Sequence, residues 1–123
     1  MVFDEPIETM KVRFDQKLED WLMVKSRSYY LDGNDKQFSL RFIHIKEVLK
    51  QHFLSYCDFE SCLWIIYKSN TMISITKFGE IHVHCIHAED AYLDQVFKML
   101  HGYIKEIDTD IIFNSGKIIK SYV

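Results

Sequence analysis

Along the chain the hydrophobic positions change period twice, and those changes outline the elements. Ile7, Met10, Phe14, Leu18, Trp21 and Leu22 recur at three- and four-residue steps, which predicts a helix over residues 5–25. Asp4 can cap it, and Pro6 falls in its first turn, where a missing N–H costs nothing. Leu31-Asp-Gly-Asn-Asp35 reads as a loop. A second helical stripe, Phe38, Phe42, Ile45, Leu49, Phe53 and Tyr56, predicts a helix over residues 36–56. Leu40, Ile43 and Val48 widen that stripe, so this helix is expected to be the more buried of the two.

The period then falls to two. Residues 63–67, Leu-Trp-Ile-Ile-Tyr, are apolar on both faces, as in a central strand. Ser69-Asn70 marks a turn, residues 71–77 alternate, Phe78-Gly79 marks a second turn, and residues 80–87 alternate again. Three strands joined by short turns predict an antiparallel meander. A third helix is expected over residues 88–108, with Leu93, Val96, Leu100, Ile104 and Ile107 on its apolar face and Glu89 and Asp90 at its start. Residues 110–114, a Ser115-Gly116 turn and residues 117–123 predict a terminal hairpin. The expected class is α+β: two N-terminal helices, a three-stranded meander, one helix and a C-terminal β-hairpin, all in a single domain over residues 1–123.

Composition supports a packed core. Of 123 residues, 48% are hydrophobic and 15% aromatic, which is enough apolar surface for one domain without disulfide staples. Four Gly and one Pro leave little room for long irregular segments. The odd count of three cysteines, Cys57, Cys62 and Cys85, has no disulfide-framework spacing. No secretory signal is read in the acidic first ten residues. No apolar run approaches the roughly 18–20 residues that cross a bilayer. The expected location is therefore the cytoplasm, with no membrane association.

Charge narrows the function. The formal net charge is −3, from 15 basic and 18 acidic side chains, and both signs are dispersed. A protein that holds nucleic acid by its phosphates concentrates Lys and Arg, so nucleic acid is disfavoured as a partner. Glycines 33, 79, 102 and 116 are isolated, and no phosphate-binding loop is formed from them. No cofactor is expected. The carboxylates Asp15, Glu19, Asp20, Glu89, Asp90 and Asp94 read as solvated helix faces rather than acid–base pairs.

The string His82-Val-His84-Cys85-Ile-His87 is the one chemical cluster. His82 and His84 share a strand face and could reach one metal ion together, with His87, Glu80 or a residue on a neighbouring strand as a third ligand. A regular strand puts Cys85 and His87 on the opposite face, so a polar or partner-contact surface is the plainer reading. Cys85 as a nucleophile would need a base, an orienting group and an oxyanion site that the sequence does not specify. Cys57 and Cys62 are too far apart for a redox pair and read as small buried hydrophobes.

What remains is surface. If the helices cover one side of the sheet, the other side carries Trp64, Ile66, Met72, Ser74, Thr76, His82, His84 and Ile86. That mixture of apolar and polar groups suits the centre of a protein interface. The competing expectation is that the first helix covers this face and makes it a second core. Tyr29-Tyr30 and the edge of the terminal hairpin are secondary candidates for pairing.

The strand and helix that lead to Ser115-Gly-Lys-Ile-Ile-Lys120 resemble the end of the small protein subunits of ribonuclease P, over about a third of the chain. Two leading helices depart from that family's strand-first order. The resemblance implies RNA association through Lys117 and Lys120. From Leu63 onward the order of elements is similar to that of type III secretion chaperones, which implies a protein partner and is compatible with a homodimer. The meander and its following helix also resemble half of the TATA-binding saddle, without that family's basic DNA face. Taken with the residues, these point to a non-enzymatic module that binds another protein stoichiometrically, as an inhibitor, immunity protein or chaperone does. An RNA-associated subunit and a metal-dependent activity at His82 and His84 are the alternatives.

Overall fold

The structure, a computed structural model, describes residues 23–32 and 36–122. Within these residues six strands and two helices follow in the order β1 (Met23–Leu31), α1 (Lys36–Lys50), β2 (Tyr56–Asp58), β3 (Cys62–Tyr67), β4 (Thr71–Thr76), β5 (Glu80–Ile86), α2 (Asp90–Lys105) and β6 (Phe113–Tyr122). The strands form one antiparallel sheet in the order β2-β3-β4-β5-β1-β6. The class is α+β, and the expected meander is its centre, β3-β4-β5.

Alternation decides which face is buried. Leu63, Ile65, Ile73, Ile75, Ile81 and Val83 point to one side of the meander and are fully buried. Phe38, Phe42, Ile45 and Leu49 of α1 pack on that side, as do Leu93, Val96, Leu100 and Ile104 of α2. Each such side chain removed from water contributes about 1.5–3 kcal/mol before ordering costs. Gly79 sits at a φ of +83°, and a Cβ there would meet Leu31 at 2.7 Å, so the β4–β5 turn and β1 pack together only with glycine.

Four expectations about the elements are corrected, and one about a side chain: Cys57, expected as a buried hydrophobe, is exposed on the edge strand β2. The helix expected over residues 5–25 does not reach its predicted end, because Met23–Lys25 begin β1; its remainder lies outside the described residues. The core-side positions of β1 are Lys25, Arg27 and Tyr29, and the two cations end in ion pairs with Asp90 and Asp94 of α2 at 2.8 and 3.0 Å. A hydrophobic alternation is therefore missing from a strand that nevertheless lies inside the sheet.

The helix expected to run to residue 56 stops at Lys50, and Tyr56–Asp58 form an edge strand instead. Lys46 donates to Asp58 at 2.8 Å and to the Phe59 carbonyl at 2.7 Å, and Lys50 donates to Asp58 at 2.6 Å, so α1 fastens this strand through its own last turns. Leu40 and Ile43 do not widen the buried stripe. They are 83% and 72% exposed.

The terminal hairpin is one continuous strand, β6, which among the described residues pairs with β1. Its Ser-Gly pair marks a register shift opposite Arg27 and Tyr29 and not a chain reversal. The Gly116 carbonyl accepts from Arg27 Nε at 2.8 Å there, and a Cβ on Gly116 would crowd the Ser28 carbonyl at 3.3 Å.

Candidate functional site

Among the described residues, both helices lie on one face of the sheet and none lies on the other. The open face is built from the alternate residues of every strand. One cross-strand row runs Ile66, Met72, His84, Ser26, Ile119. The adjacent row runs Cys57, Trp64, Ser74, His82, Ser28. Val24 beside Ile86 and Tyr30 beside Glu80 flank these rows.

All seven residues expected to contact a partner therefore share this face. Trp64, Ile66 and Met72 are 37%, 51% and 39% exposed, and Thr76, His82, His84 and Ile86 are half-buried. Ser74, in the second of these rows, is buried, and the competing expectation that the first helix covers this face lies outside the described residues. Sequence reasoning missed Val24, Ser26 and Ser28 of β1, whereas Tyr30 and the segment with Ile119 were expected only as secondary candidates for pairing. The available signal was the period-two run Val24, Ser26, Ser28 against Lys25, Arg27, Tyr29, which a helix-weighted reading of the first segment concealed.

The two histidines are held across β5 and β1. Ser26 Oγ lies 2.7 Å from His84 Nδ1, and Ser28 Oγ lies 2.7 Å from His82 Nδ1. His82 Nε2 lies 3.3 Å from Glu80 Oε2. An ionised carboxylate only accepts, so Nε2–H of His82 donates to Glu80, and its Nδ1 accepts from the Ser28 hydroxyl. The two imidazoles stack with centroids 6.4 Å apart. Burial, followed by the nearby His82, holds His84 below the usual histidine range.

Ser28, His82 and Glu80 have the connectivity of a nucleophile, a base and an orienting carboxylate. Acyl transfer would also need donors converging on a developing oxyanion, and β1 is flanked by strands on both sides, which draws its backbone donors into ladders. The chain of contacts reads better as a cross-strand tie. Among the described residues no group of three or more His, Cys, Asp or Glu side chains is arranged to hold a metal ion. Cys85 lies on the core face, fully buried beside Thr71, and burial pushes its thiol up, away from the reactive thiolate. His87 leaves the strand at a φ of +57° and is exposed, apart from the other two histidines.

Charge is placed elsewhere. Lys25 and Arg27 face α2, and Lys117 and Lys120, three residues apart on β6, fall on opposite sides of the sheet by alternation. Among the described residues, the middle of the open face carries no fixed charge, with Glu80 at one end and Lys117 at the β6 margin. No helix among the described residues is long and apolar enough to cross a membrane.

Compared with known proteins, the chain matches no family model, no curated protein and no solved structure.

Proposed function

We propose that this protein is a non-enzymatic binding module whose open sheet face takes a partner protein stoichiometrically, in the manner of an inhibitor, an immunity protein or a chaperone. One observation carries the reading: Trp64, Ile66, Met72 and Ile119 stand exposed together on a sheet face with hydroxyl and imidazole groups between them. Interface centres favour aromatic and Met side chains with few charges, and this face has that composition. It also lacks the Lys and Arg concentration that phosphate contact requires. The test is affinity capture with the tagged protein and with a folded Trp64→Ala, His84→Ala variant. A stoichiometric protein retained by the first and lost by the second supports the reading. Equal retention by both removes this face from it.

A second reading is a nucleic acid lying across the same face. It draws on the resemblance to half of the TATA-binding saddle and on the apolar, uncharged centre of the sheet. Minor-groove binders insert apolar wedges between base steps, and Trp64, Ile66 and Met72 are exposed apolar side chains of that kind. Nuclease-sensitive capture that depends on Trp64 would favour it. The ribonuclease P likeness has less support, because Lys117 and Lys120 do not form one patch; replacing both with Gln tests it directly.

A further inference from the structure

Four residues of chain separate Cys57 from Cys62, and the register of β2 with β3 folds that spacing into a quartet of side chains. Cys57 stands opposite Trp64. The Phe59 N–H donates to the Cys62 carbonyl at 2.9 Å, which carries the pairing past Asp58 and sets Phe59 opposite Cys62. Asp58, between Cys57 and Phe59, turns to the lysines of α1, so both of its neighbours project from the other side. Cys62 joins them there, two positions before Trp64 on β3. The two thiols form one diagonal of the quartet, and the two aromatic rings form the other. Cys57, Phe59 and Trp64 are exposed, and Cys62 is half-buried. Cys85, the third cysteine, is buried on the opposite side of the sheet.

We infer that Cys57 and Cys62 form a two-thiolate site for copper(I), a soft monovalent cation. Separation decides against a disulfide. Diagonal neighbours on a sheet face have Cα atoms about 7–8 Å apart, and a disulfide spans at most about 6.8 Å. β2 is not free to swing and close that difference: Lys46 holds Asp58 and the Phe59 carbonyl, and Lys50 holds Asp58. A metal ion between the sulfurs lengthens the bridge by one atom, which suits the diagonal. Ligand count then selects the ion. Zinc takes four ligands in structural sites and three from the protein in catalytic ones. Among the described residues no third His, Cys, Asp or Glu joins this pair. Copper(I) prefers soft thiolates and is satisfied by two of them in a linear arrangement. Binding transfers no electron: each thiol gives its proton to water, two sulfur–copper bonds form, and the product carries one net negative charge. Phe59 and Trp64 flank the bridge and limit the access of water to it.

The test uses the full chain, reduced and kept free of oxygen, with copper(I) presented as its coloured bicinchoninate complex. The unaltered chain should bleach one equivalent of the complex, and native mass spectrometry should find the copper on a single chain. Cys57→Ser and Cys62→Ser should each abolish the uptake, whereas Cys85→Ala should leave it unchanged. Silver(I), a redox-stable substitute for copper(I), should quench the fluorescence of Trp64, and Trp64→Phe should remove that quenching. The silver titration needs no cysteine variant to fold. Equal uptake by a chain lacking Cys57 or Cys62, copper found only between two chains, or no uptake from the chelator overturns the site. Silver that binds without quenching Trp64 places the ion away from the quartet and overturns it as well. A Cys57–Cys62 disulfide formed by glutathione disulfide in a chain that takes up no copper would replace the metal site with a redox clasp.

Discussion

Ile65 and Ile66 are neighbours on β3 and point to opposite sides of the sheet, so truncating each in turn measures how different the two sides are. Ile65 is fully buried beneath the helices, and Ile66 is 51% exposed. For Ile65→Ala the lost transfer energy adds to a cavity that closely packed neighbours cannot close, and the expected loss is about 3–4 kcal/mol. At Ile66 only about half of the side chain leaves water on folding, and solvent fills the space left by truncation. The transfer loss there is about 1 kcal/mol. Both changes also lower strand propensity by up to about 1 kcal/mol, but that contribution is shared and cancels largely from the comparison.

Urea unfolding of the two variants should therefore differ by about 2–3 kcal/mol at unchanged m-values. The reasoning fails if Ile66→Ala is as destabilising as Ile65→Ala. That outcome would mean that the open face is sealed in the free chain as a second core, and the docking reading would fall with it.

Other outcomes test the scaffold. Tyr29 Oη donates to Asp94 Oδ1 at 2.6 Å from a buried ring, so Tyr29→Phe should lose about 1.5 kcal/mol in urea unfolding, the low end for a bond to a charge because Asp94 keeps Arg27. No measurable loss would show that the bond is absent in solution. Gly79→Ala should cost about 1–3 kcal/mol from its positive φ and the contact with Leu31, and a neutral result would contradict the turn geometry. Because His84 is held below its ordinary value, the unfolded chain binds more protons there. Its stabilising share is full above about pH 6.5 and is lost as pH falls through the lower folded value. Thermal unfolding followed from about pH 8 downward should show that decline, and His84→Asn should flatten it; an unchanged slope in the variant refutes the assignment.

The sequence made the centre of the molecule legible and its margins less so. β3, β4 and β5 announce themselves because their core-side residues are all aliphatic, and Gly79 marks the turn between two of them. α2 was equally clear, since Leu93, Val96, Leu100 and Ile104 keep helical spacing. β1 was hidden because its inward positions are Lys25 and Arg27, whose burial makes sense only once Asp90 and Asp94 stand opposite. The end of α1 was hidden for a related reason. Phe53 and Tyr56 continue the helical spacing beyond Lys50, while Lys46, Lys50 and Asp58 tie the following strand to the helix. In β6, Gly116 has the composition of a turn but the surroundings of a bulge.

The candidate face was partly legible for the same reasons. Its seven expected residues lie on the meander, where alternation assigns sides reliably. The serines that hold both histidines come from β1, and only the antiparallel register of β1 with β5 brings Ser26 to His84 and Ser28 to His82. Leu40 and Ile43 show the opposite error: helical spacing alone counted them as core, whereas α1 presents them to solvent.

The central claim, that the open face is where a partner protein docks, is tested most directly by site-specific photocrosslinking in the native cell. A photoreactive amino acid would replace Ile66 on the open face and, as a control, Lys98 on the exposed side of α2. The account predicts one discrete protein adduct from position 66 and none from position 98. Adducts that disappear with nuclease, or equal crosslinking from both positions, would contradict it.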